Sequence, residues 1–129
     1  MPAPSAATYS SDALVAATTS FRDLVDSGSG AGLIRIRDAA DTLLGTIVLQ
    51  DPCGTINSTT GQLTLLIATN VTSAIGGTAA YGEVCTSAGA VKLAMPCLAG
   101  TSAVSGYFVL NTLTVVTGGQ INVVSAVIG

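Results

Sequence analysis

The sequence predicts an all-β protein with a single α-helix near its N-terminus. The chain has 129 residues, which is the common size of one domain. After residue 32 it consists of short runs rich in Val, Ile, Leu and Thr, separated by Gly, Asn and Asp-Pro. Because no helical pattern lies between these runs, an antiparallel β-sandwich is favoured over a parallel sheet.

Residues 1–9 precede the first periodic segment. They contain Pro2 and Pro4 among small residues and have no periodicity, so we expect an extended N-terminal arm. Residues 10–129 then form a single β-sandwich domain that includes the helix. Such an arm is either flexible or docked on a neighbour. We expect residues 1–26 to dock on a neighbouring subunit, with Pro2, Pro4 and Tyr9 as candidate contact residues.

One amphipathic helix is predicted over residues 11–26. Ser10 or Ser11 can cap its N-terminus, Asp12 suits the positive end of the helix dipole, and Gly28 follows as a C-terminal stop. The apolar residues that recur at helical spacing are Leu14, Ala17, Phe21, Leu24 and Val25.

The helix also carries residues that could contact a partner. Phe21 and Leu24 face either the protein's own core, which is favoured, or a neighbouring subunit. Arg22 lies beside Asp23 and near Asp26, where solvation or a subunit contact explains the charges better than catalysis. Arg22 is therefore a further candidate contact residue.

Seven or eight short strands are predicted after the Gly-rich linker at residues 27–32. Asn111 is a position at which one of them can divide. The predicted strands are Leu33 to Arg37, Thr42 to Leu49, Gln62 to Ala68, Thr78 to Thr86, Ala90 to Met95, Tyr107 to Val116 and Gln120 to Ile128.

Turn residues separate these strands. Asp51-Pro52 is a turn signal, and Pro96 is expected to end a strand because proline has no amide hydrogen to give to a ladder. Two tripeptides are hairpin signals, namely Ser87-Ala88-Gly89 and Thr117-Gly118-Gly119.

The composition indicates that part of the surface is covered by a partner. Hydrophobic residues make up 49% of the chain and charged residues 9%, against a usual charged share of roughly 25%. The third strand is apolar on both faces, with Leu63 and Leu65 on one side and Leu66 on the other. Either the helix or a neighbouring subunit covers such a face, and we expect oligomerisation.

Charge and residue types exclude several function classes. Four basic residues against seven acidic residues give a net charge of −3 without a basic cluster, so binding to a nucleic acid backbone is not expected. Histidine is absent, which removes the commonest general base and the usual nucleophile pairs. We expect no enzyme activity and predict no catalytic, cofactor-binding or metal-binding residues.

The cysteines and the acidic turn are predicted to have structural roles. Cys53, Cys85 and Cys97 are an odd number without CxxC spacing, which favours buried reduced thiols over disulfides or zinc ligands. Asp38 and Asp41 bracket the loop after the first strand, but the intervening residues lack the alternating oxygen ligands of a calcium loop. We expect a solvated turn there.

Targeting signals are not expected in this sequence. The first 20 residues have no basic region followed by an apolar run, so we predict no secretory signal. The longest apolar stretches are far below the roughly 18 residues that span a bilayer, and we predict no membrane association.

The order of segments resembles that of small tailed-bacteriophage virion proteins of the head decoration, cement or minor capsid type. The likeness covers about residues 11–129. Its segments after the helix are GLIRIRD, TLLGTIVLQDPCG, GQLTL, GGTAAYGEVCTSAGAVKLAMPCLAG and NTLTVVTGGQINVVSAVIG. The resemblance implies a jelly-roll-like sandwich, with an immunoglobulin-like strand order as the alternative.

The same resemblance implies a function and a location. Such a protein is made in the host cytoplasm, sits on the capsid exterior and clamps adjacent major capsid protein subunits, often as a homotrimer. No catalytic motif is carried over. Two alternatives remain open, namely a tail or head-to-tail connector component and a non-viral β-sandwich binding module.

Overall fold

The computed structural model describes residues 10–69 and 75–129. The predicted arm at residues 1–9, with Pro2, Pro4 and Tyr9, lies outside the described residues. Within them the chain forms one helix and nine strands. These are α1 (Ser11–Val25), β1 (Leu33–Arg37), β2 (Leu43–Ile56), β3 (Leu63–Thr69), β4 (Gly77–Thr78), β5 (Tyr81–Cys85), β6 (Val91–Ala99), β7 (Phe108–Leu110), β8 (Thr114–Val115) and β9 (Val123–Ile128).

Seven of the strands form a closed barrel in the order β1, β2, β3, β9, β7, β6, β5, with β5 pairing back to β1. β6 and β7 pair in parallel, while the other barrel neighbours are antiparallel. β4 and β8 form a separate two-stranded ribbon, called the ribbon below. The prediction of an all-β protein with one helix is confirmed. The strands do not separate into the two sheets of the predicted sandwich, because periodicity locates strands without fixing which ones pair.

The barrel interior is filled by the inward side chains of its strands. Ile34 and Ile36 of β1 are completely buried and Arg35 and Arg37 point outward, as their alternation predicts. Phe108 of β7 is the largest fully buried side chain of the described residues. The interior is therefore a packed apolar core.

Helix α1 lies across one end of the barrel. Ser10 is its N-cap and accepts a hydrogen bond from the Ala13 amide, and Asp26 is its C-cap, close to the predicted limits. The Thr18 hydroxyl donates to the Gly61 carbonyl in the β2–β3 turn at 2.9 Å. Val25, at the other end of the helix, is completely buried in the core. No helix among the described residues is long and apolar enough to cross a lipid bilayer.

The ribbon lies over the opposite end of the barrel, where β1 ends and β2 begins. The Ile75 amide donates to the Leu44 carbonyl at 2.9 Å, and the Ala80 amide donates to the Arg37 carbonyl at the same distance. Val115 of the ribbon is 7% exposed and belongs to the core. The predicted strand from Thr78 to Thr86 is thus divided into β4 and β5, and only β5 belongs to the barrel.

Two prolines lie inside strands that they were predicted to end. β2 continues past Asp51-Pro52 because its pairing with β3 passes from Leu49 directly to Gly54, leaving the proline outside the ladder. β6 continues past Pro96. Backbone nitrogens point alternately to the two sides of a strand. The Cys97 amide donates to the Ala80 carbonyl on the β5 side, so the Pro96 nitrogen points to the opposite side of β6. On that side β7 pairs with β6 only from Cys97 onward, so Pro96 interrupts no ladder bond.

The Gly-containing turns form as predicted, but only one of them closes a hairpin. Gly89 has φ +87° in the turn between the paired strands β5 and β6. Gly118 has φ +76° in the second turn, where the Gly119 amide donates to the Val116 carbonyl at 2.8 Å. That turn does not join paired strands, because β8 pairs with β4. The predicted break at Asn111 is confirmed, since it lies between β7 and β8.

The link between the parallel strands β6 and β7 lies against the outside of the barrel. Val109 and Val127 are buried but do not belong to the interior core. Ser105 forms a bridge with Val127, and the Gly106 amide donates to the Val127 carbonyl at 2.8 Å. Residues 100–107 therefore shield this outer side of the barrel from water.

Candidate functional site

The outer side of strands β2, β1, β5 and β6 forms an exposed surface that we call the open face. Its strands are neighbours in the barrel, and seven of its side chains are exposed while four are half-buried. Its residues are Arg35, Arg37, Thr46, Val48, Tyr81, Glu83, Val91, Lys92, Ala94, Pro96 and Leu98. Tyr and Arg with surrounding aliphatic side chains are typical of protein interfaces.

An ion pair lies at the centre of the open face. The Arg37 Nε donates to Glu83 Oε1 at 2.6 Å, with the two side chains 23% and 16% exposed. Arg37 is paired with Tyr81 in the ladder and Glu83 with Arg35, so the bond runs diagonally across the two strands. The hydrogen bond with Glu83 raises the pKa of the Arg37 guanidinium.

The β1–β2 turn is fixed to this centre by two further hydrogen bonds. The Tyr81 hydroxyl donates to Asp41 Oδ1 at 2.7 Å, and Arg37 Nη1 donates to the Asp41 carbonyl at 3.0 Å. The bond to Asp41 raises the pKa of the Tyr81 phenol, so the phenol stays neutral and remains a donor. Asp41 has φ +66°, a conformation that Asp tolerates better than most residues.

Asp38 holds the same turn from within. Its Oδ1 accepts from the amides of Ala40 and Thr42 at 2.9 and 2.8 Å. The two acidic residues therefore make hydrogen bonds that shape the turn. Residues 39–42 are exposed, as expected for a solvated turn. Among the described residues, no group of three or more Asp, Glu, Cys or His side chains is placed to hold a metal ion.

A second exposed feature lies at the ribbon end of the barrel. Ile75 and Val116, called the ribbon tip, are 56% and 69% exposed and are the two most exposed large hydrophobic side chains of the described residues. The Gly76 amide donates to Thr117 Oγ1 at 3.0 Å, which joins the two chain segments that carry the ribbon tip. The ribbon tip is therefore an apolar point on a hydrogen-bonded support.

Of the sequence-predicted contact residues, only Arg22 lies among the described residues. Its side chain on α1 is 28% exposed, and its Nε lies 3.9 Å from Asp23 Oδ1. It does not belong to the open face or to the ribbon tip. Phe21 packs against the core, as favoured. Leu24 is 45% exposed and is not part of the core, so the core position favoured for it is wrong.

Sequence reasoning missed both surfaces. The alternation of Arg35 and Arg37 did place two charges on one side of β1, but periodicity does not show that β5 lies beside β1. The sequence does not indicate that Ile75 and Val116 are exposed. An aliphatic residue next to a strand looks like a core residue unless the pairing of that strand is known.

The cysteines lie away from these surfaces or beneath them. All three are free thiols, with Cys53 and Cys85 buried, as predicted, and Cys97 half-buried. Burial raises the pKa of Cys53 to about 12, with the nearby Asp26 carboxylate contributing, and burial raises the pKa of Cys97 to about 11. Such thiols are poor nucleophiles near neutral pH.

The part of the chain that the structure describes has no pocket for a small molecule. Comparison of the chain with protein-family models, with curated proteins and with solved structures finds no match.

Proposed function

We propose that this protein is a structural virion protein that binds the outer surface of a phage capsid and stabilises contacts between major capsid subunits. The proposal combines the segment order, which resembles decoration and cement proteins, with the exposed ribbon tip. It assigns the protein a binding role without catalysis. Its location is the capsid exterior, after synthesis in the host cytoplasm.

The single observation that carries the proposal is the exposure of Ile75 and Val116 beside the ribbon. Burying a Val or Ile side chain that is otherwise exposed contributes roughly 1.5–3 kcal/mol. Because the ribbon is hydrogen-bonded and its Val115 is anchored in the core, ordering this tip on binding costs little entropy. The ribbon tip thus has the properties of an anchor that inserts into an apolar site on a partner.

The barrel supplies the rigid body that a cement protein needs. Its interior is packed, α1 lies across one end, and the ribbon lies across the other. Val115, which precedes the exposed Val116, is anchored in this core. In this proposal the barrel takes the place of the jelly-roll-like sandwich that the resemblance implies.

Co-sedimentation with shells of the parent phage that lack this protein tests the proposal. We expect saturable binding, and we expect Val116→Asp to lower the affinity by at least about tenfold, which is roughly 1.4 kcal/mol. Val104→Asp is the matched control, because Val104 is 39% exposed on the link at residues 100–107 and lies outside the ribbon tip. We expect it to bind like the unmodified protein.

Other outcomes would overturn the proposal. Absence of binding to shells would favour the interpretation as a non-viral binding module. Assembly into rings or tubes would favour a tail or head-to-tail connector component. Equal loss of binding in both variants would contradict the role of the ribbon tip. Deleting residues 1–9 tests the predicted arm separately, since unchanged occupancy of the shell would remove the arm from the proposal.

A further inference from the structure

The charged residues of this chain are concentrated around the open face. Three of the four basic residues and three of the seven acidic residues lie on it or at its rim. They are Arg35, Arg37, Asp38, Asp41, Glu83 and Lys92. In a chain with 9% charged residues, such a concentration dominates the electrostatics of this side of the barrel.

The two ends of the open face have opposite charge. At the centre, Arg37 and Glu83 neutralise each other at 2.6 Å. Asp38 and Asp41 lie beyond Arg37, in the β1–β2 turn at the ribbon end. No basic side chain lies within 4.0 Å of either carboxylate among residues 10–69 and 75–129, so this end is negative.

The opposite end is positive. The guanidinium of Arg35 lies beside Gly89 in the β5–β6 turn. Lys92 is exposed in the bulge where Cys85 pairs with Val91. Within the described part of the chain, neither cation has a carboxylate within 4.0 Å. Arg35 and Lys92 are thus free to pair with acidic groups of another molecule.

We propose that the open face binds a second copy of this chain in a twofold dimer. A twofold rotation about an axis near the Arg37–Glu83 pair places the positive end of one copy on the negative end of the other, twice. Arg35 and Lys92 of each copy then face Asp38 and Asp41 of its partner. A surface that carries opposite charges at its two ends is self-complementary in this arrangement.

Apolar side chains around the charges complete the interface. Val48, Val91 and Leu98 are 38%, 48% and 38% exposed, and Pro96 is exposed beside Tyr81. Four strands about 4.8 Å apart and five or six residues long make a patch roughly 20 by 20 Å. Two such patches together bury roughly 800 Å², which is below the range of stable interfaces, so we expect a weak, transient dimer that depends strongly on salt.

The dimer is a contact between two copies of the capsid-binding protein and rests on that proposed function, but its test requires no capsid shell. It differs from the homotrimer that the resemblance implies, because a trimer joins two different surfaces of each copy. Shell binding stays assigned to the ribbon tip. Failure of the dimer therefore leaves the co-sedimentation result unaffected, and the two proposals fail separately.

Sedimentation velocity of the full chain over a range of concentrations tests the dimer. We expect a shift from one to two chain masses as the concentration rises at about 0.05 M salt, and a loss of this shift at about 1 M salt. The double variant Arg35→Glu with Lys92→Glu carries acidic groups at both ends and is expected to stay monomeric. If it does not fold, Lys92→Glu alone alters an exposed side chain and provides the same test.

A complementary variant makes the test specific for the pairing of the two ends. Ala39, Ala40 and Thr42 are exposed in the β1–β2 turn, and their replacement by Lys makes that end positive while keeping Asp38 and Asp41. We expect this variant to be monomeric alone and to form a heterodimer when mixed with the Arg35→Glu, Lys92→Glu variant. A trimer, a salt-independent dimer, or a mixture that stays monomeric would overturn the proposal.

Discussion

The Asp26 carboxylate accepts a hydrogen bond from the Cys53 amide, with both carboxylate oxygens 3.1 Å from the nitrogen. Asp26 is the C-cap of α1, and Cys53 is a completely buried residue of β2. This bond supplies a partner for an amide in the part of β2 that does not pair with β3. It therefore joins the end of the helix to the barrel at a point where the ladder is interrupted.

Replacing Asp26 with Ala is expected to destabilise the protein. The change leaves the Cys53 amide without its partner in a buried position, which costs roughly 1–3 kcal/mol. Urea unfolding measures the difference in the free energy of unfolding. Asp23→Ala is the control, because the Asp23 side chain is 70% exposed and is expected to contribute little. Equal effects of the two changes would contradict the proposed role of Asp26.

Replacing Thr18 with Val is expected to weaken the contact between α1 and the β2–β3 turn. Thr18 is 4% exposed, and its hydroxyl lies 2.9 Å from the carbonyl oxygens of Gly61 and Leu14. Loss of the bond to Gly61 is expected to cost about 1 kcal/mol, and the amides of the β2–β3 turn should exchange hydrogen faster. Thr19→Val, on a half-buried neighbour, should leave exchange in that turn unchanged.

Replacing Gly82 with Ala is expected to disturb the centre of the core. A Cβ at Gly82 would lie 2.6 Å from Cδ2 and Cε2 of Phe108, a distance at which the aromatic ring must move. Overpacking of this kind typically costs 1–3 kcal/mol, which thermal unfolding detects. Gly100→Ala is the control, because its Cβ would meet Val109 at an ordinary 3.5 Å. A Gly82→Ala variant as stable as this control would show that the ring has room to shift.

The stability of the protein is expected to fall at high pH through Cys53. Burial raises the pKa of this thiol from 9.0 to about 12, so the folded protein favours the neutral form. The resulting stabilisation is fully present below pH 9 and is lost as the pH rises through about 12. Urea midpoints between pH 8 and pH 11 should decline less steeply in Cys53→Ala. An unchanged slope would assign the decline to other groups.

Local order along the chain could be predicted much better than pairing between distant segments. The helix limits follow from Ser10 and the Gly-rich linker, and the orientation of β1 follows from the alternation of Ile and Arg. Barrel closure depends on contacts between β3 and β9, which periodicity does not encode. Pro96 was misleading for the same reason, since a proline ends a strand only where its nitrogen faces a neighbouring strand.

The candidate surfaces could be predicted only in part. Low charge indicated a covered surface, but the composition of a chain does not show where on the fold that surface lies. The open face exists because β5 returns beside β1, which brings Tyr81 and Glu83 next to Arg37. The ribbon tip exists because β4 and β8 pair with each other outside the barrel. The positions of both surfaces depend on non-local pairing, which the pattern of residues along the chain does not show.

The pairing of β3 with β9 also has a consequence for how the chain folds. Leu63 pairs with Ile128, so the ring of strands cannot close until the last strand has left the ribosome. Until then the growing chain has unsatisfied strand edges and an unfilled interior, which favour association with other chains. Contacts between such distant segments also slow folding. This topology therefore keeps the growing chain prone to aggregation until β9 has been synthesised and can pair with β3.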